Sequence, residues 1–411
     1  MNRSVTMDEG FLVRISFLFA SGFIFAEGLQ NWIRGNIESH PEVVLLILVS
    51  YGLAFILFIF ATMNTNAVLK VRDLALAALI FVTISSWYVV TQVEFPGSYQ
   101  TDALAFAHYS AILFSKGVNP YTQDLQSALS AFAVNPQFFT LTPNGDLVTN
   151  LNYPALQFIV LLPVVWLGLH DARIVIYLFE LAAIVIIYVW SPKEIRALAI
   201  IPIFAGSDLA VNFSAGAVAD FLWVLPLVLM IVFMDDVRLS GIMFGLASAI
   251  KQTPWLLSPF LLVYYLRSGS GLNARSRLKQ TVIFGAFALG TFLVPNIGFM
   301  WNNFSAWYTG VVTPAFGNLV VLSQGLSLIT LAIGIPLPPI FYLTATLAVA
   351  ATLLINYYVY YEKLALAVWA FPAIILWFSY RGLQNYFIFW TPLLVMAVVK
   401  LYKKGGTHSA R

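Results

Sequence analysis

Asp102, Lys251 and Arg381 are ionisable side chains whose apolar surroundings set them apart as candidates for chemistry. Asp102 opens the helix-forming run Asp102-Ala-Leu-Ala-Phe-Ala-His-Tyr109-Ser-Ala-Ile-Leu-Phe114, within a polar stretch that interrupts apolar ones. A carboxylate at a membrane edge, partly desolvated by Phe106 and Tyr109 a turn or two along, can take a proton from a hydroxyl. The same carboxylate near a helix start can instead cap exposed backbone amides, and the sequence leaves both uses open. Lys251 sits in Ala247-Ser-Ala-Ile-Lys-Gln-Thr-Pro254, and Arg381 in Ser379-Tyr-Arg-Gly-Leu-Gln-Asn-Tyr386. A cation at membrane depth is expensive unless hydrated or paired, which marks both as candidate phosphate ligands, Arg by a two-pronged contact and Lys as a point charge. The competing uses are snorkelling or a pair with Asp208 or Asp220 for Lys251, and an interfacial anchor for Arg381.

The elements that must position these groups are transmembrane helices. Hydrophobic residues make up 60% of the 411 residues and charged residues 9%, against about 25% charged in a soluble domain. Uncharged runs such as 43–69, 74–93, 340–361 and 382–399 reach or approach the roughly 20 residues that cross a hydrocarbon core as a helix. They lack the alternation of barrel strands. The expected fold is an all-α polytopic membrane protein with about 11–13 transmembrane or re-entrant helices, drawn from apolar segments at 11–31, 42–63, 73–92, 153–169, 173–190, 196–208, 213–234, 240–250, 253–266, 281–300, 319–333, 340–360, 364–380 and 383–400. Segments 196–208 and 240–250 read as half-helices lining a cavity, with one kinked helix over 241–266 as the alternative to the second.

Charge sets the expected sidedness. Arg267, Arg275, Arg277 and Lys279 form an acid-free basic linker, and Lys400, Lys403, Lys404 and Arg411 a basic tail, so both belong inside. The insert 94–152 holds Glu94, Asp102, Asp124 and Asp146 against the single Lys116 and belongs outside. Keeping the tail inside then requires that 319–333 not cross, which leaves 301–339 and Arg381 on the outer side. The segments divide as 1–72, an amino-terminal transmembrane addition; 73–266, a module that includes the insert; 267–279, a linker; 280–400, a carboxy-terminal module; and 401–411, a tail. The start lacks a signal-peptide cleavage pattern, so the first apolar segment is expected to remain as a helix.

Several chemistries find no support. There is no Cys, so disulfides and thiolate metal sites are excluded. The four His show no paired metal spacing, no metal site or cofactor is indicated, and divalent-metal dependence is left open. The net charge of +3 lies largely in the two basic clusters and speaks to topology rather than to nucleic acid.

The order Asp102…Tyr109…Gly117…Pro120-Tyr121, then Tyr153-Pro154, then Gly245…Lys251-Gln-Thr-Pro254 resembles the GT-C superfamily of integral-membrane glycosyltransferases, especially its mannosyltransferase-like branch that uses polyprenyl-phosphate sugars. In that branch an outer-loop Asp precedes a Gly-x-x-Pro-Tyr turn, and a later Lys-x-x-Pro lies in a helix rich in Gly and Ala. The resemblance implies Asp102 as catalytic base and Lys251 as the membrane lysine, and with Arg381 the two cations would converge on one lipid phosphate. Gly206-Ser-Asp208 and Asn212 stand about where the branch carries a membrane Gly-Gln pair. Tyr109, Tyr121, Tyr153, Asp208, Asn212, Gln252, Asn303 and Gln324 are the remaining candidates for substrate contact. The implied partners are a polyprenyl-phosphate-linked sugar, a glycan or lipid-linked acceptor and membrane lipids. The competing class is a transporter or flippase, for which broken helices and isolated Lys251, Asp208 and Asp220 would form a substrate path.

Overall fold

The apolar runs become helices in the computed structural model, which describes residues 9–204, 208–268, 271, 273–316, 319–335 and 337–409. Among the described residues seven helices are long and apolar enough to cross a bilayer: Glu9–Arg34, Pro41–Thr62, Leu74–Glu94, Arg173–Trp190, Ala274–Asn302, Pro339–Val359 and Gln384–Lys403. A bent pair, Arg196–Phe204 with Leu209–Ala215, raises the number of spans to eight if it counts as one. Leu156–Trp166, Phe221–Val232, Val237–Ile250 and Ala367–Trp377 are shorter apolar helices. At 1.5 Å per residue, the 12 residues of Phe221–Val232 reach only ~18 Å, well short of a hydrocarbon core of ~30 Å. The expected all-α polytopic fold is therefore present; against the 11–13 crossing or re-entrant segments expected, the described residues give seven or eight spans and these four shorter apolar helices. Among the described residues the only sheet is a two-residue parallel pair, Leu322–Ser323 with Arg381–Gly382, and an isolated antiparallel bridge joins Leu141 and Leu147.

Contacts gather the chain into two units that are discontinuous in sequence: 1–98 with 180–216 and 399–411, and 99–179 with 217–398. In the first, Glu9–Arg34 packs on Pro41–Thr62, Leu74–Tyr88 and Arg196–Phe204. Side chains tie these helices, with Ser21 Oγ donating to Ala54 O at 2.9 Å and Asn31 Nδ2 to Ser86 Oγ at 2.9 Å. Glu27 is buried there, as an interior polar group. Pro41 occupies the first turn of its helix, where its missing N–H leaves no hydrogen bond unmade.

The second unit holds the candidate chemistry. Asp236 caps Val237–Ile250 by accepting the Arg238 and Leu239 amides at 2.9 and 3.1 Å. That helix packs against Ala274–Asn302 so closely that a Cβ on Gly245 would lie 2.5 Å from Ala288 O. It stops at Lys251, whose backbone is extended (φ −148°, ψ 154°), and a 3-10 turn, Thr253–Leu257, leads into Ser258–Arg267. The Pro254 ring would clash with the Ile250 carbonyl in a continuing helix, so two helices form rather than one kinked helix over 241–266. Within the insert, helices Asp102–Ser115 and Gln126–Ala131 alternate with two 3-10 turns opened by Asn-Pro pairs. Asn119 and Asn135 each accept the amide two residues on, at 3.0 and 3.1 Å. In 319–333, the helix Leu326–Ala332 has seven residues, ~10 Å of rise, and cannot cross.

Candidate active site

Asp102 is the first helical residue rather than the cap. Thr101 holds the cap position in extended backbone, and its hydroxyl donates to Ala217 O at 2.8 Å. The Asp102 carboxylate, 8% exposed, turns instead to the insert, where Oδ2 accepts the Thr140 amide at 2.7 Å. Burial pushes this carboxyl above its ordinary value of 3.8, while the Thr140 hydrogen bonds and the charge of Arg381 pull it back down. Two turns along the same helix, His108 Nδ1 lies 3.0 Å from the Tyr99 hydroxyl, which also accepts the Ala172 amide at 2.8 Å. Phe132 stacks on the His108 ring at 4.7 Å. Burial holds His108 down at about 4, so at neutral pH it is an uncharged brace for the helix that carries Asp102.

Arg381 reaches the same place from the far end of the chain. Its strand pairs in register with Leu322, with Leu322 N donating to Tyr380 O at 3.0 Å and Gln324 N to Gly382 O at 2.7 Å. Arg381 Nη2 donates to Thr140 Oγ1 at 3.4 Å, and the buried Nη1 has no hydrogen-bond partner among the described residues. Thr140 thus joins carboxylate and guanidinium.

Lys251, 8% exposed, is already paired: Nζ lies 2.6 Å from Asp220 Oδ1. Of the two partners open to it from sequence, the structure selects Asp220; the side chain of Asp208 lies outside the described residues. Asp220 Oδ1 also accepts Trp223 Nε1, and Oδ2 accepts Asn385 Nδ2 at 2.7 Å. The ammonium stands 4.9 Å from the Tyr386 ring centre and 5.9 Å from that of Tyr153.

These groups surround two cavities. One, of about 240 Å³, is lined by Asp102, Thr140, Tyr153, Asp220, Lys251, Arg381, Asn385 and Tyr386 among others. The other, of about 200 Å³, shares Thr140, Tyr153, Lys251, Arg381 and Tyr386 with it and adds Gln252. Lys251 and Arg381, far apart in sequence, therefore border the same space. Tyr153 is fixed by its neighbours: Tyr121 Oη donates to Tyr153 O at 2.8 Å, and Gln252 Nε2 donates to Asn152 O at 2.9 Å and Val311 O at 2.8 Å. Asn296 Oδ1 accepts the Ala155 amide and Trp307 Nε1, each at 3.0 Å.

Other candidates are placed differently. Tyr121 lines neither cavity, because its buried hydroxyl is spent on the Tyr153 carbonyl. Asn303 is spent on capping Phe304–Val311, accepting the Ala306 amide at 3.0 Å. Gln324 is exposed beside the strand pair, and neither it nor the half-buried Tyr109 lines either cavity. Asn212 belongs to the first unit. Sequence reasoning missed Thr140, Asn385 and Tyr386 as site residues and gave Asp220 only as a partner for Lys251 or, in the transport alternative, as part of a substrate path. An acid at the head of the apolar run Phe221–Val232 was the available signal for Asp220. Among the described residues, no three His, Asp or Glu side chains gather to hold a metal ion.

No curated protein and no solved structure matches the chain significantly. The family model described as Glycosyltransferase family 87 matches residues 151–401, a span that takes in Tyr153, Asp220, Lys251, Arg381 and Asn385 and begins beyond Asp102. With more than half of its length inside that match, the chain belongs to glycosyltransferase family 87.

Proposed function

We propose that this membrane glycosyltransferase moves a sugar, with inversion, from a polyprenyl-phosphate donor to a hydroxyl of an extracytoplasmic glycan or lipid-linked acceptor. The observation that carries the reading is the charge pattern of the cavities: a buried carboxylate, Asp102, joined through Thr140 to a guanidinium whose Nη1 is unpartnered among the described residues. In the step, the acceptor O–H gives its proton to Asp102 as its oxygen attacks the anomeric carbon. The bond from that carbon to the phosphate oxygen breaks on the opposite face, and its electron pair stays with the phosphate. Arg381 stabilises the charge that develops there by preorganised donors rather than by proton transfer. Tyr153 and Tyr386 offer ring faces to the sugar. An apolar groove of about 380 Å³, lined by Phe244, Trp255, Leu262, Phe284 and Phe292 and reached within four residues of Lys251, suits the prenyl chain. The resemblance of the sequence favours a mannose-like sugar.

The test is Asp102→Asn. The amide oxygen of Asn can still accept the Thr140 N–H, so folding and donor binding should survive, while transfer should fall by about 10²–10⁴-fold with the loss of the base. Near-normal turnover would sink the base assignment and move the search to Asp124 or Asp146. A parent protein that transfers sugar from no lipid-phosphate donor, yet moves such a lipid across a vesicle membrane, would turn the reading toward transport.

A further inference from the structure

The two cavities are bordered by two cations, and the structure treats them unequally. Lys251 and Asp220 form a buried pair at 2.6 Å, with Asp220 1% exposed. Asp220 is locked by three donors, Lys251 Nζ, Trp223 Nε1 and Asn385 Nδ2, so neither oxygen is free to swing away. Releasing Lys251 to a ligand would leave the buried Asp220 carboxylate with two neutral donors and no counter-ion, which is strongly unfavourable. Arg381 has no carboxylate in direct contact: its hydrogen bond is to the neutral hydroxyl of Thr140, Asp102 acts on it only through space, and Nη1 is unpartnered among the described residues.

We infer that Asp220 is a specificity-determining residue that sets the charge of the donor: by neutralising Lys251 it leaves Arg381 as the single available cation among the described residues that line the two cavities. The site then takes a sugar on a phosphodiester, which carries one negative charge, and turns away a sugar on a diphosphate, which carries two. This rests on the reading of the donor as a lipid-linked sugar phosphate. The selection works against the wrong ligand, because the second phosphate charge would meet Asp220 with no cation left to answer it. Phosphate chemistry alone does not require Asp220; the unequal treatment of the two cations does.

The experiment compares binding of farnesyl-phosphoryl-mannose and farnesyl-diphosphoryl-mannose to the full-length protein in nanodiscs. The parent should prefer the monophosphate probe, and Asp220→Asn should shift the ratio of dissociation constants toward the diphosphate by about tenfold or more, since one charge close to the ligand is removed. The double variant Asp220→Asn/Lys251→Gln, which restores the charge balance, should return the ratio to that of the parent. Trp223→Phe removes a hydrogen bond to Asp220 but no charge and should leave the ratio alone. A ratio unmoved by Asp220→Asn, or moved equally by Trp223→Phe, overturns the inference while the donor reading stands. Failure of the parent to bind either probe overturns the donor reading itself. Should Asp220→Asn not fold, Lys251→Gln serves: it should weaken the diphosphate probe more than the monophosphate one, and equal weakening refutes the charge rule.

Discussion

Thr140 gives its amide hydrogen to Asp102 and takes a hydrogen from Arg381 on its hydroxyl oxygen, so the protonation of one is tied to the placement of the other. Because burial raises the Asp102 carboxyl, and a base must be ionised to act, kcat/KM should rise with pH through that raised value. Its acid limb should lie above where an ordinary carboxylate, near 3.8, would put it. Thr140→Val removes a hydroxyl that holds the carboxyl down, so the limb should move further up; pH profiles of parent and variant decide this, and an unmoved limb denies Thr140 the tuning role. Asp102, Lys251 and Arg381 were legible because an isolated charge among apolar residues is costly and so informative. Thr140 was not, because threonines are common and half of its contribution comes from a backbone amide that any residue would supply. The choice of Asp220 as the partner of Lys251 was a matter of helix packing, to which the sequence offered two answers.

Arg381 owes its position to a pairing of two residues with two. Such short strands leave no alternation to read, and the polar gap at Ser323-Gln324 was visible only as a reason for 319–333 not to cross. The pairing depends on a close approach: a Cβ on Gly325 would lie 2.0 Å from Trp377 O. Gly325→Ala must push apart the segments that carry Leu322 and Arg381, and donor affinity should fall about 10- to 100-fold, the penalty for misplacing a binding group by an ångström. Gly298→Ala, where a Cβ meets nothing within 4 Å, should leave donor affinity unchanged. Donor titrations of both variants check this; equal affinities would show that the strand pair does not set Arg381. The break at Lys251 was readable as one of two outcomes, since Pro254 either kinks or breaks a helix. The caps at Asp236 and Asn303 could have been read from residue type, although Asn303 was assigned to substrate instead.

At the scale of the whole chain, hydropathy gave the membrane class and charge gave a sidedness that single cysteines can check, since the native chain has none. In intact cells, a membrane-impermeant thiol reagent should label Ser127→Cys and Asn303→Cys but not Ala274→Cys; labelling of Ala274→Cys alone would invert the arrangement. The grouping of 180–216 and 399–411 with the first helices was not legible, because packing partners of lipid-exposed helices leave little trace in composition.

The Pro339–Val359 helix carries this to the lipid. It buries only 11% of its apolar stretch in the protein, and its buried residues are Tyr342 and Tyr357. Tyr342 packs with Val148, Leu319 and Tyr380, the last of these adjacent to Arg381. A helix with so few buried residues can accommodate a thinner or thicker bilayer by changing its tilt, at a cost of fractions of a kcal/mol per Å of mismatch. Its buried Tyr342 meets the residue next to Arg381, so bilayer thickness is expected to bear on the placement of the cation proposed to meet the leaving phosphate.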